Sequence, residues 1–413
     1  MKKTFTVLYF VLLANFAFAQ TDQTIQSIIN KVSIDTLMNN LRELTGDKPV
    51  ILNNVSTSLL SRNRYSAGNS YIPFYLTKKF DQLGLVSFQQ SFMTDGTNVY
   101  AIQNGTTKSN QYVIICAHYD NMPSGGVAPG ADDNGSGTAA VLEAARILSK
   151  YKFDYTIIYA LWDLEEYGLY GSNYYAQEAS FRGDNIVAVV NLDMIAWDSN
   201  NDYKAEVHAR NVSNTLELGL LVHDVNSKYS IGLNLYTSNP GSTASDHASF
   251  WRNNYSAVLL IESMSDFNLY YHKTTDDISK INKPFFEKMT KLALGVTAIS
   301  AIPIQGTSVA KTVPNEFQLY QNYPNPFNPE TTISYKVQAA SQVSLKVYDV
   351  MGNEISNLVN EVKEPGTYNS QFSIRNSSPR STRVGADQLS TGIYFYTLRA
   401  GGFIQTRKML LLK

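Results

Sequence analysis

The chain has 413 residues, 44% of them hydrophobic, a formal net charge of -1 and a single cysteine. That length and apolar content suffice for one large core and point to two domains. The near-neutral balance gives no electrostatic footprint for nucleic acid or an anionic membrane surface, and a lone cysteine excludes an internal disulfide.

The first residues, MKKTFTVLYFVLLANFAFAQ, carry two lysines, an apolar segment and Ala17-Phe18-Ala19 ahead of Gln20. This is the pattern of a secretory signal over 1–19, too short and wrongly flanked for a transmembrane anchor. Spaced apolar residues over 21–60 (Ile25, Ile28, Ile29, Val32, then Leu37, Leu41, Leu44) predict two helices, and 71–83 predicts a third with Pro73 near its start. Strands are expected over 88–92 and 99–103. The run 113–116 (VIIC) reads as a strand buried on both faces, with Cys116 a small core residue. From Thr138 the sequence TAAVLEAARILSK has helical spacing and strong helix formers. Further apolar runs follow at 156–161, 186–192 and 257–261.

Strands alternating with helices predict an α/β fold with a mostly parallel central sheet flanked by helices. Several of these runs finish in Asp, Glu or His: His118 and Asp120 after the central strand, then Asp132 and Asp133 before the next helix. Asp163, Glu165 and Glu166, then Asp193, then Glu262 follow the others. In open α/β sheets that edge is where ligands bind, and so many anions gathered there call for cations. The candidate ligands are His118, one of Asp132 and Asp133, Glu166, Asp193 and His272; one of Asp132, Asp133 and Asn134 also caps the following helix. Mixed imidazole and carboxylate donors suit zinc, in pairs of the hydrolase type roughly 3.5 to 4 Å apart with one carboxylate bridging. In the adjacent pair Glu165-Glu166 one carboxylate can hold metal while its neighbour takes a proton from water. His208 and His223 fall in no such pattern, and His247 reads as structural or as a support behind the ligands, with Asp246 near the metal site.

The segments AHYD, APGADDNGSG, Glu165-Glu166, NLDM, SDHASFW and YYHKTTDD occur in the order found in the co-catalytic zinc aminopeptidases. The chain thereby resembles that family, of the secreted bacterial leucyl aminopeptidase type, over residues 21–302, the Asn63-Arg64-Tyr65 region included. The resemblance implies the zinc exopeptidase fold and two Zn2+ ions. Asp133 would bridge them, with His118 and Asp193 completing one site and Glu166 and His272 the other. It makes Glu165 the general base and places Asp120 behind His118 as its orienting carboxylate. The peptide after the bridging aspartate is cis in that family. Peptide substrates with a free N-terminus are expected. Within the same superfamily, glutaminyl cyclases keep the fold with one zinc, carboxypeptidases share the ligands, and some members are silent surface binding proteins; these are the competing readings. Some relatives carry a disulfide in the loop before SDHAS, whereas here 235–242 (LYTSNPGS) has no cysteine, so the side chain preferred at the substrate's first position does not transfer.

After Ile302 the composition shifts. Residues 303–315 lack periodicity and read as a linker. Beyond it, a Pro-punctuated loop lies between two short strand candidates, and strands recur at 343–348, 367–374, 393–398 and 406–412, predicting a small antiparallel β-sandwich. The stretch LYQNYPNPFNP at 319–329, the turn YDVMG at 348–352 and GIYFY at 392–396 resemble the type A C-terminal sorting domain of the type IX secretion system, over 316–413. A Ser/Arg-rich segment at 375–387 looks like an insertion. The resemblance implies the type IX secretion machinery as a partner and export through the periplasm and outer membrane. The expected organisation is a signal at 1–19, a peptidase at 20–302, a linker at 303–315 and a sorting domain at 316–413.

Overall fold

The computed structural model describes residues 23–52, 55–308, 317–322, 325–373 and 389–412. The signal expected over 1–19, residues 309–315 of the expected linker and the segment 375–387 lie outside the described residues. The chain divides into two compact units, the main break in sequence falling between Val309 and Ala310.

In the first unit the two expected N-terminal helices form, α1 over 23–29 and α2 (Ile34–Leu44). The Ser33 hydroxyl accepts from Thr36 N and starts α2, which buries Leu37, Met38, Leu41 and Leu44. The end of the 21–60 stretch instead makes an antiparallel hairpin, β1 (Val50–Leu52) and β2 (Val55–Thr57). Helix α3 (Ala67–Gln82) begins four residues before Tyr71, because Ser66 caps it by accepting from Asn69 N; Pro73 consequently falls in its second turn.

The core is an eight-stranded sheet built from β3 (Val86–Ser91), β4 (Thr97–Gln103), β5 (Lys108–His118), β7 (Tyr155–Trp162), β8 (Asn185–Leu192), β9 (Lys204–His208), β10 (Asn234–Ser238) and β11 (Ala257–Glu262). Between β5 and β7 lie helix α4 (Gly137–Leu148) and the short strand β6 (Tyr151–Phe153). The strand order is β10-β9-β11-β8-β5-β7-β4-β3. The four middle strands β11, β8, β5 and β7 run parallel, β10 runs parallel to β9, and β9 and β4 pair antiparallel with β11 and β7. The middle strands are the continuous apolar runs of the sequence, as strands covered on both faces must be. Cys116 is fully buried in β5. Strands β9 and β10 escape the sequence reading because they are five residues long and polar at alternate positions, as in KAEVH.

Helix α4 is buried almost throughout and packs on β5 and β7, with α2 and α8 (Lys283–Ser300) against it; α5 (Tyr170–Arg182), α6 (Thr215–Lys228) and α7 (His247–Arg252) complete the helical layers. Strand β12 (Pro303–Ser308), within the stretch expected to be linker, pairs antiparallel with β6. Backbone pairing of this kind leaves no trace in side-chain periodicity.

The second unit is a two-sheet antiparallel sandwich. One sheet contains β13 (Gln318–Leu319), β14 (Glu330–Val337) and β17 (Gly366–Ser373). The other orders β16 (Glu354–Lys363), β15 (Ser341–Tyr348), β18 (Gly392–Ala400) and β19 (Phe403–Leu411). Alternate residues point inward, Val343, Leu345 and Val347 of β15 and Tyr394, Tyr396 and Leu398 of β18 meeting Ile333, Tyr335 and Phe372 of the facing sheet. Strand β16 was not expected, since a polar edge strand has no apolar run to reveal it.

Candidate metal centre

Because β5, β7, β8 and β11 are parallel, the residues that follow them collect along one edge of the sheet. His118 is the last residue of β5. Its Nδ1 donates to the Asp120 carbonyl at 3.1 Å, which places the ring proton on Nδ1. Nε2 therefore faces Asp193 Oδ1 at 3.3 Å and Asp133 Oδ1 at 3.4 Å. On the far side of Asp133, His272 Nε2 stands 3.2 Å from Asp133 Oδ2 and 2.7 Å from Glu166 Oε2. His118, Asp133 and Asp193 form one donor group and Asp133, Glu166 and His272 another, the ligand atoms within each lying inside 4.8 Å of one another. Asp133 belongs to both.

Three buried atoms of this set, Asp133 Oδ2, Glu166 Oε1 and His272 Nε2, make no hydrogen bond. The short contacts are thus convergent without being mutually aimed, as donors around a common centre are. A buried polar atom left without a partner costs about 1–3 kcal/mol, so the arrangement fits cations, and its nitrogen and oxygen donors fit zinc. The electrostatics agree. Burial opposes a charge on His118, yet the Glu165 and Asp193 carboxylates push its proton affinity well above the ordinary value. Burial likewise opposes a charge on His272, while Asp133 and Glu166 raise it to about 10. Burial, then the neighbouring Asp133 carboxylate, lifts Glu166 to about 8. Glu165, buried and facing Asp193 and Asp246, is pushed well up. The only fully buried Arg or Lys among the described residues is Arg62.

The backbone is unusual at or beside several of these side chains. The Asp133-Asn134 peptide is cis. Asn134 turns away from the donors, accepting from Gly137 N, the first residue of α4, at 2.9 Å and donating to Leu192 O at 2.8 Å; the N-cap of α4 is Ser136, without a side-chain capping bond. Leu164 before Glu165, Met194 after Asp193, and His272 itself all have positive φ, between 50° and 58°. Such left-handed non-glycine residues concentrate where side-chain placement matters more than backbone comfort. Gly130, which opens the turn leading to Asp133, has φ +52°, and a Cβ there would stand 2.5 Å from Asp133 O.

Asp120 does more than orient His118. Its carboxylate oxygens accept from Glu165 N at 3.1 Å and Glu166 N at 3.2 Å, with Oδ1 also 3.4 Å from His118 Nδ1. One buried carboxylate so places the whole Glu pair. His208 is not part of the cluster; it is buried against Glu206 at 3.1 Å and accepts from Ser242 N. His223 meets the Thr237 hydroxyl, and buried His247 donates to Ser242 O at 2.9 Å.

Three residues support the site from behind, of which the sequence singles out neither Asp276 nor Arg62 and marks Asp132 only as a candidate ligand or cap. Asp276 accepts from Asp132 N and Asp133 N at 3.0–3.2 Å and so fixes the turn that presents Asp133. Asp132 accepts from Ala196 N and from Asn268 Nδ2. Arg62 donates to the carbonyls of Leu44, Tyr119, Pro129 and Gly130 at 2.6–2.8 Å. Asp276 had a signal, lying within the YYHKTTDD segment, but Arg62 acts on carbonyls and has none.

Residues 98–297 match Peptidase family M28, and residues 321–412 match the secretion system C-terminal sorting domain. The segment that carries the donor groups is thus the part of the chain similar to Peptidase family M28. Among curated proteins it is 32% identical over 219 residues to a probable leucine aminopeptidase of Arthroderma otae, covering 48% of this chain and 55% of that one. The chain spans about half the length of the curated relatives it matches. Among solved structures, the LapA aminopeptidase of Legionella pneumophila superposes with a TM-score of 0.59 at 23% identity, over 68% of this chain and 73% of that one. A Fimbriiglobus ruber glutaminyl cyclase gives 0.53 at 19% identity, over 64% and 95%. Both likenesses are of fold. No helix among the described residues is long and apolar enough to cross a membrane.

Proposed function

We propose that this protein is a secreted metallo-aminopeptidase that removes the N-terminal residue of peptides. The observation carrying the reading is the pair of donor groups sharing Asp133, with Glu165 beside them. His118 and Asp193 would hold one zinc, Glu166 and His272 the other, and Asp133 both. Zinc bound there supplies Lewis acidity to the scissile carbonyl and its attacking water.

The chain's own groups do the rest. Asp120 holds the Glu165 and Glu166 amides, so that Glu165 stands free of metal while its neighbour ligates. The Glu165 carboxylate takes a proton from the attacking water as the new C–O bond forms, then passes it to the leaving nitrogen as the C–N bond breaks. Burial, then the Asp193 and Asp246 carboxylates, raise its proton affinity, the direction wanted in a group that must take up a proton. Buried carboxylates around the site favour a substrate that presents a protonated or polar amine, which an internal peptide bond lacks. Met264, Leu269 and Tyr271, exposed apolar side chains just before His272, support an apolar first residue, as do relatives named leucine aminopeptidases.

The N-terminal signal at 1–19 and the sorting domain at 316–413 are assigned to export through the periplasm and outer membrane by the type IX machinery. The peptidase domain starts near residue 20 and extends through β12 to residue 308, beyond the expected end at 302. Deleting 316–413 in the producing cell should trap the enzyme in the periplasm.

The test of activity uses the full mature chain, aminoacyl-p-nitroanilides with N-acetylated controls, chelator and zinc add-back, and metal analysis. Expected are two zinc ions per chain, chelator-sensitive cleavage of free-amine substrates alone, and loss of turnover in Glu165→Gln with zinc retained. One zinc per chain with release of pyroglutamyl products would instead establish a cyclase. Inert zinc-loaded protein would leave a binding role.

A further inference from the structure

The Asn63-Arg64-Tyr65 segment has no part in the chemistry above, yet the fold brings it to the turn that carries the Glu pair. Asn63 is fully buried. Its Nδ2 donates to Tyr167 OH at 3.0 Å and to Asn121 O at 2.8 Å, while its Oδ1 accepts from Tyr65 N at 3.1 Å. One amide side chain therefore ties together two tyrosines distant in sequence. The Tyr65 ring meets Tyr167 edge-on, centroids 5.6 Å apart at 83°. Arg64 lies over both rings, at 5.7 and 5.5 Å, and is neutralised by a two-pronged pair with Asp95 at 2.7 and 2.9 Å.

Despite these ties Tyr65 is 72% exposed. A ring packed edge-on against a second ring and still open to water has a free apolar face to offer a ligand. Its position says what. Tyr167 directly follows Glu166, and the turn is closed tightly by Gly168 N and Leu169 N donating to Glu165 O, both at 2.9 Å. Glu165, on the reading above, gives its proton to the leaving nitrogen. The chain beyond that nitrogen therefore departs past Glu165's own turn, where Tyr65 and Tyr167 present their rings. Met264, Leu269 and Tyr271 belong to the segment leading to His272 and serve the other end of the substrate.

We infer that Tyr65, backed by Tyr167 and held by Asn63, forms the subsite for the residue immediately after the cleaved bond, and that it selects aromatic and large apolar side chains there. With Arg64 already paired to Asp95, the platform offers ring contact without net charge, so acidic residues gain nothing from it. Tyr65 is a specificity determinant in this account; it takes no part in bond breaking.

The inference rests on the aminopeptidase reading, and the experiment separates the two. Leu-Phe-amide and Leu-Ala-amide are compared with the full mature enzyme and its Tyr65→Ala and Tyr65→Phe variants. An aromatic pair of this kind is worth roughly two- to tenfold in affinity. Tyr65→Ala should raise KM for Leu-Phe-amide by about that factor, leave kcat nearly unchanged, and leave Leu-Ala-amide within about twofold. Tyr65→Phe, which keeps the ring, should behave as wild type. Equal losses on both substrates, or none on either, overturn the subsite while the aminopeptidase stands. Failure of the wild type to cleave either dipeptide overturns both.

Discussion

Asp120→Asn tests how the Glu pair is placed. In the structure each Asp120 oxygen receives one backbone N–H, from Glu165 at 3.1 Å and Glu166 at 3.2 Å, in a fully buried setting. The amide keeps one acceptor and turns the other position into a donor facing a donor. One charge-assisted bond, worth about 1.5–3 kcal/mol, is lost, and one buried N–H is left without a partner at a further ~1–3 kcal/mol. Relaxation absorbs part of this, so a net loss of about 2–4 kcal/mol divides between stability and placement of the two carboxylates. Removing a partner that orients metal-site residues typically costs 10- to 100-fold, equivalent to about 1.4–2.7 kcal/mol. The expected outcome is therefore a fall of that size in kcat with weaker zinc binding, measured by steady-state kinetics on leucyl-p-nitroanilide and by competition with a zinc-buffering chelator. A variant with a lowered melting temperature but unaltered kcat and zinc affinity would show that Asp120 supports the fold alone and would refute the positioning argument.

Arg62→Lys keeps the charge but cannot reach four carbonyls, and with several charge-assisted bonds of ~1.5–3 kcal/mol at stake it should lower the peptidase unit's stability by at least ~2–4 kcal/mol; calorimetry should show a melting temperature lower by several degrees. Chelation should also destabilise the first unit, and zinc at 100 times its dissociation constant should restore about 2.7 kcal/mol per site in thermal melts. His247 gives a pH dependence. Burial holds it down at about 3, only partly offset by the Ser242 carbonyl, against 6.5 for the free side chain. The unfolded chain takes up its proton below 6.5 and the folded chain does not, so this contribution is complete above pH 6.5 and is lost as pH falls towards 3, at up to ~1.4 kcal/mol per unit. Urea midpoints across that window should fall more steeply for wild type than for His247→Gln. In the sandwich, buried Tyr396 OH donates to Tyr320 O at 2.8 Å and accepts from Asn322 N at 2.7 Å; Tyr396→Phe should cost that unit ~1–3 kcal/mol in urea unfolding.

What could be read from the sequence follows from where the chemistry sits. The middle strands are apolar runs, and their ends are where polarity begins, so His118, Asp193 and the Glu pair stand out against their surroundings. Strands β9, β10 and β16 do not, because short or edge strands alternate polar residues and look like loops. Asp133 was resolved from Asp132 only through the family resemblance. Spacing alone treats the two alike, whereas in the fold Asp133 faces both histidines and Asp132 turns to Ala196 and Asn268. The left-handed backbones of Leu164, Met194 and His272 were likewise invisible, since those residue types do not advertise positive φ.

The supports are less legible for a different reason. Asp276 and Arg62 act on backbone N–H and C=O groups, which every residue possesses, so no partner in the sequence points back to them; Asp120 is legible as the orienter of His118 but not as the acceptor for the Glu165 and Glu166 amides. Yet together they solve one electrostatic problem. On the proposed reading the edge of the sheet gathers several carboxylates to share cations, and each must be held without a Lys or Arg pairing it. Backbone amides do this for Asp120 and Asp276, which orient Glu165, Glu166 and Asp133 without spending a charged partner on them. The one buried guanidinium is spent on four carbonyls and acts on the carboxylates only at a distance, through the field of its charge. The donor oxygens of Asp133 and Glu166 consequently stay available. A fold that paired them internally would be easier to recognise as stable and would have nothing left with which to bind metal.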